Sequence, residues 1–318
     1  MLILILFVLG FVVLIKGADL LVKGASSIAK GMQISPLVIG LTIVSFGTSA
    51  PELIVNLFAS TSGKTDLAIG NILGSNIANV FLILGISALI YPLTTKKNTV
   101  WKEIPFSLLA AVLLAVLVND QLIDGGDFSG LSRIDGIVLI SFFIIFLYYT
   151  FGIAKVKGES NDSEISQYSF SKSILFVSLG LVGLTFGGKW IVDGAVQIAG
   201  YFQMSESLIG LTVVAIGTSL PELATSAMAA YRKQSDIAIG NVVGSNIFNI
   251  FLILGISSTV NPLPFHPDST MDIAMTILAS LILFSVLFIG KKHVLQRWQG
   301  ALMLVIYVSY LAYLVSNS

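Results

Sequence analysis

Glu52 and Glu222 each close a run of identical chemistry, Gly-Thr-Ser-x-Pro-Glu, at residues 47–52 and 217–222. Pro51 and Pro221 carry no N–H, so the carbonyls of Gly47 and Gly217, four residues back, lose their helical partners. Helical spacing puts Ser45, Thr48, Ser49, Glu52 and Asn56 on one face, and Ala215, Thr218, Ser219, Glu222 and Ser226 on another. Two further segments carry a polar row at intervals of four: Asn71, Ser75 and Asn79, then Asn241, Ser245 and Asn249. Carboxylate, hydroxyl, amide and carbonyl oxygens around one cavity make a site for a hard cation, and Ca²⁺ takes six to eight such oxygens at about 2.3–2.6 Å. The set holds no nitrogen or sulfur ligand, which argues against zinc or copper. The chain has no cysteine, which excludes disulfides, thiolate metal sites and thiol catalysis. His266 and His293 fall near predicted helix ends and read as solvated side chains.

The elements that position these residues must lie in lipid. The chain has 318 residues, 55% of them hydrophobic and 11% charged, against about 25% charged in an ordinary soluble domain. Its apolar residues come in runs of about 20, the length of helix that crosses a bilayer. The sequence predicts an all-α membrane protein with ten spans, at about 2–23, 33–61, 67–92, 99–119, 132–153, 172–196, 203–231, 237–261, 271–290 and 297–316. Residues 1–15 lack a basic leader and a small-residue cleavage site, so they read as part of a true first span. With these spans, thirteen of the 17 Lys and Arg residues fall on one side, Lys64 and Arg133 on the other, and Lys16 and Lys189 inside spans. The basic side is cytoplasmic by the positive-inside rule. Both termini are then expected outside a cell membrane. The polar stretch 154–171 is a cytoplasmic linker, and the outer acids Asp120, Asp124 and Asp127 do not have calcium-loop spacing and read as solvated.

The chain also repeats itself at an offset of 170. Gly40–Glu52 returns as Gly210–Glu222, and Gly70–Asn79 returns as Gly240–Asn249, without a gap. Five spans per half is an odd number, so residues 172–318 are expected to enter the membrane upside down relative to residues 1–153. Inverted repeats are a common transporter architecture, with the substrate near the midplane where the halves meet. The strongest identity falls on polar residues at membrane depth, where lipid penalises them, which points to function rather than ancestry alone.

Charge then limits the cargo. A carboxylate at the bilayer centre costs at least about 2.5 kcal/mol, and two close together also repel. One Ca²⁺ neutralises the pair, as do two Na⁺, and one vacated site shared between these ions gives exchange. The bland alternative is a proline kink whose glutamates pair with Lys16 and Lys189. Those lysines have nearer acids in Asp19 and Asp193, so the first and sixth spans are expected to satisfy their own charges.

These cassettes closely resemble the alpha repeats of the sodium/calcium exchanger family, in the cation/calcium exchanger superfamily, over nearly the whole chain. The resemblance implies ten helices with ions between the second, third, seventh and eighth. It implies that Glu52 and Glu222 are the principal Ca²⁺ carboxylates, and that Thr48, Ser49, Thr218 and Ser219 are ligands through side chain or carbonyl. By the same resemblance Ser75 and Ser245 offer hydroxyls to Na⁺, and the backbone carbonyls of Ser45 and Ala215 offer further sodium contacts. Some relatives, including the potassium-dependent branch, carry Asp where Asn249 stands. Here Asn79 and Asn249 are both neutral, which speaks against K⁺ co-transport. The resemblance further implies electrogenic exchange, and the large cytoplasmic calcium-sensing domains of animal exchangers are absent.

Other readings of the same residues are H⁺/Ca²⁺ exchange, in which the carboxylates hold protons instead of Na⁺, an intramembrane enzyme, and a channel. An enzyme needs a nucleophile with a base, and no His or Cys lies in the core. The inverted repeat fits alternating access better than a channel. The sequence therefore predicts a secondary antiporter with no cofactor, no nucleic-acid or protein partner, and Ca²⁺ and Na⁺ as cargo.

Overall fold

Long apolar runs satisfy their backbone most simply as helix, and the described apolar runs do so. The computed structural model describes residues 2–125, 129–154, 167–201, 215–265 and 269–316. In chain order the helices are α1 (Leu2–Met32), α2 (Pro36–Thr48), α3 (Ala50–Thr61), α4 (Thr65–Ile90), α5 (Thr99–Leu117), a short α6 (Asp120–Asp124), α7 (Arg133–Ala154), α8 (Phe170–Tyr201), α9 (Ala215–Thr218), α10 (Leu220–Tyr231), α11 (Ser235–Val260), α12 (Thr270–Val286) and α13 (Arg297–Ser316). Four two-residue strands sit in the connections: β1 (Leu93–Thr94), β2 (Gly130–Leu131), β3 (Leu263–Pro264) and β4 (Val294–Leu295). Among the described residues seven helices are long and apolar enough to cross a membrane, and the bent pair α2/α3 makes eight. α12 is a shorter apolar helix of 17 residues. The protein is thus an all-helical membrane protein.

Small residues set how the helices cross. A methyl group on Gly17 of α1 would lie 2.9 Å from the Gly180 carbonyl oxygen of α8, one on Gly10 would meet Gly187, and one on Gly24 would meet Ser173. The contacts run in opposite order along the two chains, so α1 and α8 are antiparallel, backbone against backbone. In the same way a methyl on Gly240 of α11 would lie 2.8 Å from the Leu37 carbonyl of α2. Backbone contact of this kind is how helices associate where lipid tails remove the hydrophobic drive. α11 is buried along nearly its whole length and α4 along most of it, while α1, α7, α8 and α13 each expose a long face. The interior is therefore built around α4 and α11, the helices that carry the polar rows. Both widen to π-helix where the last residue of the row stands, at Asn79–Ile83 and Phe248–Leu254. Such widenings often mark functional positions.

The connections meet in two groups. β1 pairs with β4, and the Thr95 amide and hydroxyl donate to the His293 carbonyl at 2.8 and 2.9 Å. Lys96 pairs with Asp236 at 3.4 Å, and Asp19 with Lys23 at 2.7 Å and with Arg232. Elsewhere β2 pairs with β3, and the Asn261 amide donates to the Ser60 carbonyl at 2.8 Å. The expected pairing of Asp19 with Lys16 does not occur. One helical turn separates Asp19 from Lys23 on the same face, whereas Lys16 turns to an exposed face, as does Lys189. Arg232, distant in sequence, joins Asp19 because α10 packs on α1. His293 meets the Phe288 ring edge to face, 6.2 Å between centroids, at a tight turn with φ of 60°, and His266 lies outside the described residues.

Candidate ion-binding site

The site grows from two helix breaks. α2 ends at Thr48 and α3 begins at Ala50, bent by 46°. The hinge residue Ser49 has φ −85° and ψ 4°, and Ser219, between α9 and α10, has φ −87° and ψ 3°. The two cassettes thus share one backbone conformation. Pro51 and Pro221 stand in the first turn of α3 and α10, where a missing N–H costs nothing. Glu52 and Glu222 stand in the same first turns, and their negative charge suits the positive end of the helix.

All the hydroxyl and carboxylate groups that the sequence analysis placed on one face of the first cassette are buried: Ser45, Thr48, Ser49, Glu52 and Asn56 are each at most 2% exposed. Ser219, Glu222, Ser75, Ser245, Asn79, Asn241 and Asn249 are buried as well. Thr218 and Asn71 are half-buried. Ala215 opens α9, which places its backbone one turn before Thr218.

The folded chain pairs the halves crosswise. Ser49 Oγ lies 3.0 Å from Ser245 Oγ, and Ser219 Oγ 3.3 Å from Ser75 Oγ. Thr48 donates to the Asn241 Oδ1 at 3.0 Å, and Thr218 to the Asn71 Oδ1 at 3.3 Å. Asn71 donates to Asn56 at 2.8 Å, and Asn241 to Ser226 at 2.9 Å. The serine–serine and threonine–asparagine contacts each occur twice with the halves exchanged, as in a two-fold interface where residue i meets j and j meets i, and the Asn71 and Asn241 bonds repeat within each half. Ser49 also donates to Glu222 Oε1 at 3.0 Å, so a hydroxyl of one cassette holds the carboxylate of the other. The Ser45 carbonyl accepts from the Ser49 amide at 2.9 Å and from the Thr48 hydroxyl at 3.3 Å.

Four oxygens in this region have no donor among the described residues: Oε2 of Glu52, Oε2 of Glu222, Oδ1 of Asn79 and Oδ1 of Asn249. They form two mirrored pairs. A buried acceptor without a partner costs on the order of 1–3 kcal/mol, more when charged. A cluster of surplus acceptors is met by a cation and repels an anion. Neither glutamate is in an ion pair among the described residues. No group of three or more His, Cys, Asp or Glu gathers anywhere among them. The site is therefore rich in neutral oxygen and carries two carboxylates, a donor set that suits Ca²⁺ and Na⁺ rather than a transition metal.

Two carboxyl groups outside the site, Glu103 buried and Asp272 half-buried, were missed by the sequence reading. Glu103 of α5 accepts from Tyr149 of α7 at 2.7 Å, and Asp272 of α12 accepts from Tyr310 of α13 at 2.5 Å. Both acids stand near the start of a predicted span and take a tyrosine partner from a helix later in the chain. A pattern of Asp or Glu near one span end and Tyr in another was the only available signal.

Comparison with known proteins gives a consistent picture. The sodium/calcium exchanger protein family matches residues 2–152 and 172–316. The putative antiporter CaxA of Alkalimonas amylolytica is 38% identical over the full length of both chains. The sodium/calcium exchanger MaX1 of Methanosarcina acetivorans is 34% identical, covering 98% of this chain and 97% of its own. A solved structure of the sodium-calcium exchanger NCX_Mj, soaked with Na⁺ and Sr²⁺, superposes with a TM-score of 0.84 at 37% identity, covering 98% of each chain.

Proposed function

The chain belongs to the sodium/calcium exchanger family, and on that premise we propose that it exchanges one Ca²⁺ for Na⁺ at a single site that alternates between the two sides of the membrane. The cargo ions are held by Glu52 and Glu222, by Thr48, Ser49, Ser75 and their mates Thr218, Ser219 and Ser245, by the amide oxygens of Asn79 and Asn249, and by the backbone carbonyls of Ser45 and Ala215. The observation that carries this reading is the mirrored set of donorless oxygens on Glu52, Glu222, Asn79 and Asn249. Two negative charges repel and lack a counter-charge among the described residues, so the ion-free site is costly to move through low dielectric. Ca²⁺ cancels both charges, and Na⁺ ions do the same in the other direction. Movement only in loaded states is what couples the two fluxes.

The crossing pattern is that of ten spans in two inverted halves, residues 1–153 and 172–318, joined by a linker at 154–171. The exchanged contacts between the cassettes support a two-fold relation, and an odd number of spans per half supports inversion. The meeting of the connections supports the sidedness. β1 with β4, Lys96 with Asp236 and Asp19 with Arg232 all join connections assigned to the basic, cytoplasmic side. β2 with β3 and Asn261 with Ser60 join connections assigned to the other. Both termini then lie outside a cell membrane, and the inside-negative potential favours Na⁺ entry with Ca²⁺ extrusion.

The test is ⁴⁵Ca²⁺ uptake into proteoliposomes of the purified protein. An outward Na⁺ gradient drives uptake, and a proton gradient of equal size does not. Uptake that follows the proton gradient and ignores Na⁺ replaces sodium with protons as the counter-ion.

A further inference from the structure

α4 and α11 cross at two asparagines that the exchange reading leaves without a role. Asn76 and Asn246 occupy equivalent positions in the two halves and are buried, at 1% and 3% exposure. Each donates through Nδ2 to the backbone carbonyl of the other at 3.5 Å. Each also accepts, through Oδ1, from the next turn of the facing helix: Asn79 Nδ2 reaches Asn246 Oδ1 and Asn249 Nδ2 reaches Asn76 Oδ1, both at 2.9 Å. Asn76 and Asn246 thus close one hydrogen-bonded ring across the interface between the halves, and Asn79 and Asn249 each add one bond to it.

The direction of every bond in that ring follows from chemistry. A backbone carbonyl only accepts, so the Asn76 and Asn246 groups that face one must be the NH₂ ends. Their oxygens then point the other way and need donors. Only the NH₂ ends of Asn249 and Asn79 can supply them. This leaves the Oδ1 atoms of Asn79 and Asn249 as the surplus, and both are without a donor. A 180° flip of either amide is nearly isosteric, yet it would set oxygen against oxygen inside the ring and turn an N–H₂ group outward. An N–H₂ group repels a cation that the oxygen would bind.

We propose that Asn76 and Asn246 are positioning residues that lock the amides of Asn79 and Asn249 with their oxygens outward, as neutral ligands for the transported cation. The inference rests on the exchange reading only in taking Asn79 and Asn249 as ion ligands. Ser75 and Asn79 are one turn apart on the same face of α4, as Ser245 and Asn249 are on α11, so the locked oxygens continue the row that begins with the hydroxyls. The ring joins both halves, which ties the two ligand orientations to one crossing.

The test is a double-mutant cycle on equilibrium Ca²⁺ binding to the purified full-length protein, by ⁴⁵Ca²⁺ equilibrium dialysis, with the thermal midpoint of the ion-free protein recorded alongside. Asn246→Ala is expected to weaken Ca²⁺ binding about tenfold, as is Asn79→Ala, and the double variant no more than either alone. That non-additivity marks a residue acting through Asn79. Any general loosening from the lost ring appears in the thermal midpoint and is carried into both backgrounds. The mirror cycle, Asn76→Ala with Asn249→Ala, gives the same readout if one half fails to fold. Unchanged affinity in Asn246→Ala and Asn76→Ala, or losses that multiply in the double variants, overturns the proposal. Wild-type protein that binds Ca²⁺ with this cycle intact but shows no Na⁺-driven flux refutes the exchange reading and leaves the positioning role standing. Wild-type protein that binds no Ca²⁺ refutes both.

Discussion

Imposing a membrane potential is the most direct way to count the charge that the site moves. Glu52 and Glu222 supply two negative charges, and neither has an ion-paired counter-charge among the described residues. One Ca²⁺ brings the loaded site to zero. The hydroxyls of Thr48, Ser49 and Ser75, their mates, and the amide oxygens of Asn79 and Asn249 are more neutral ligands than two Na⁺ require. A third Na⁺ is therefore expected to enter without another carboxylate, leaving the loaded site with one net positive charge. One charge moved through 100 mV is worth about 2.3 kcal/mol, and each 1.4 kcal/mol is a factor of about ten. The steady-state Ca²⁺ ratio across the membrane should therefore shift about 50-fold per 100 mV. The assay is Ca²⁺ accumulation in proteoliposomes under fixed ion gradients, with the potential set by valinomycin and K⁺. Inside-negative vesicles should end with less internal Ca²⁺. A ratio that does not move with the sign of the potential means electroneutral exchange with two Na⁺, and that one set of neutral oxygens was counted as a site without being one.

Three other results follow from the same geometry. Glu52→Gln and Glu222→Gln should each remove Ca²⁺ transport, at least 100-fold, while the purified variants keep a cooperative thermal transition; near-normal flux in either removes that residue from the site. Exchange should proceed without K⁺, because Asn249 adds no charge to hold it. Na⁺-driven Ca²⁺ flux that stops when K⁺ is replaced at clamped voltage contradicts this. Cysteines introduced by Ser316→Cys and Lys157→Cys should report opposite sides in intact cells, with an impermeant thiol reagent labelling the first alone; labelling of the second alone turns the assigned topology over.

Much of the site was legible because its signals are local. Pro51 and Pro221 cannot continue a preceding helical ladder because they lack an N–H, and helical spacing gathers Ser45, Thr48, Ser49, Glu52 and Asn56 on one face. Burial of that whole face is what the polar residues had implied, since lipid does not tolerate them. The repeat offset, the apolar runs and the lack of cysteine are likewise properties of the string. They point to an oxygen-rich donor set with two carboxylates and carry the resemblance to the family.

What only the tertiary structure decided is which residue meets which. No spacing rule says that Ser49 reaches Glu222 rather than Glu52, that Thr48 serves Asn241, or that Asn76 and Asn246 bridge the two polar rows. Nor does any say that Asp19 prefers Lys23 and Arg232 to Lys16, or that tyrosines of later helices satisfy Glu103 and Asp272. These contacts depend on where helices cross and how closely. That is set by backbone approaches such as Gly17 on Gly180 and Gly240 on Leu37, between segments far apart in the chain. Helical periodicity fixes the face a residue occupies on its own helix. The partner on the facing helix depends on crossing angle, depth and rotation, which come from the packing of all the helices at once.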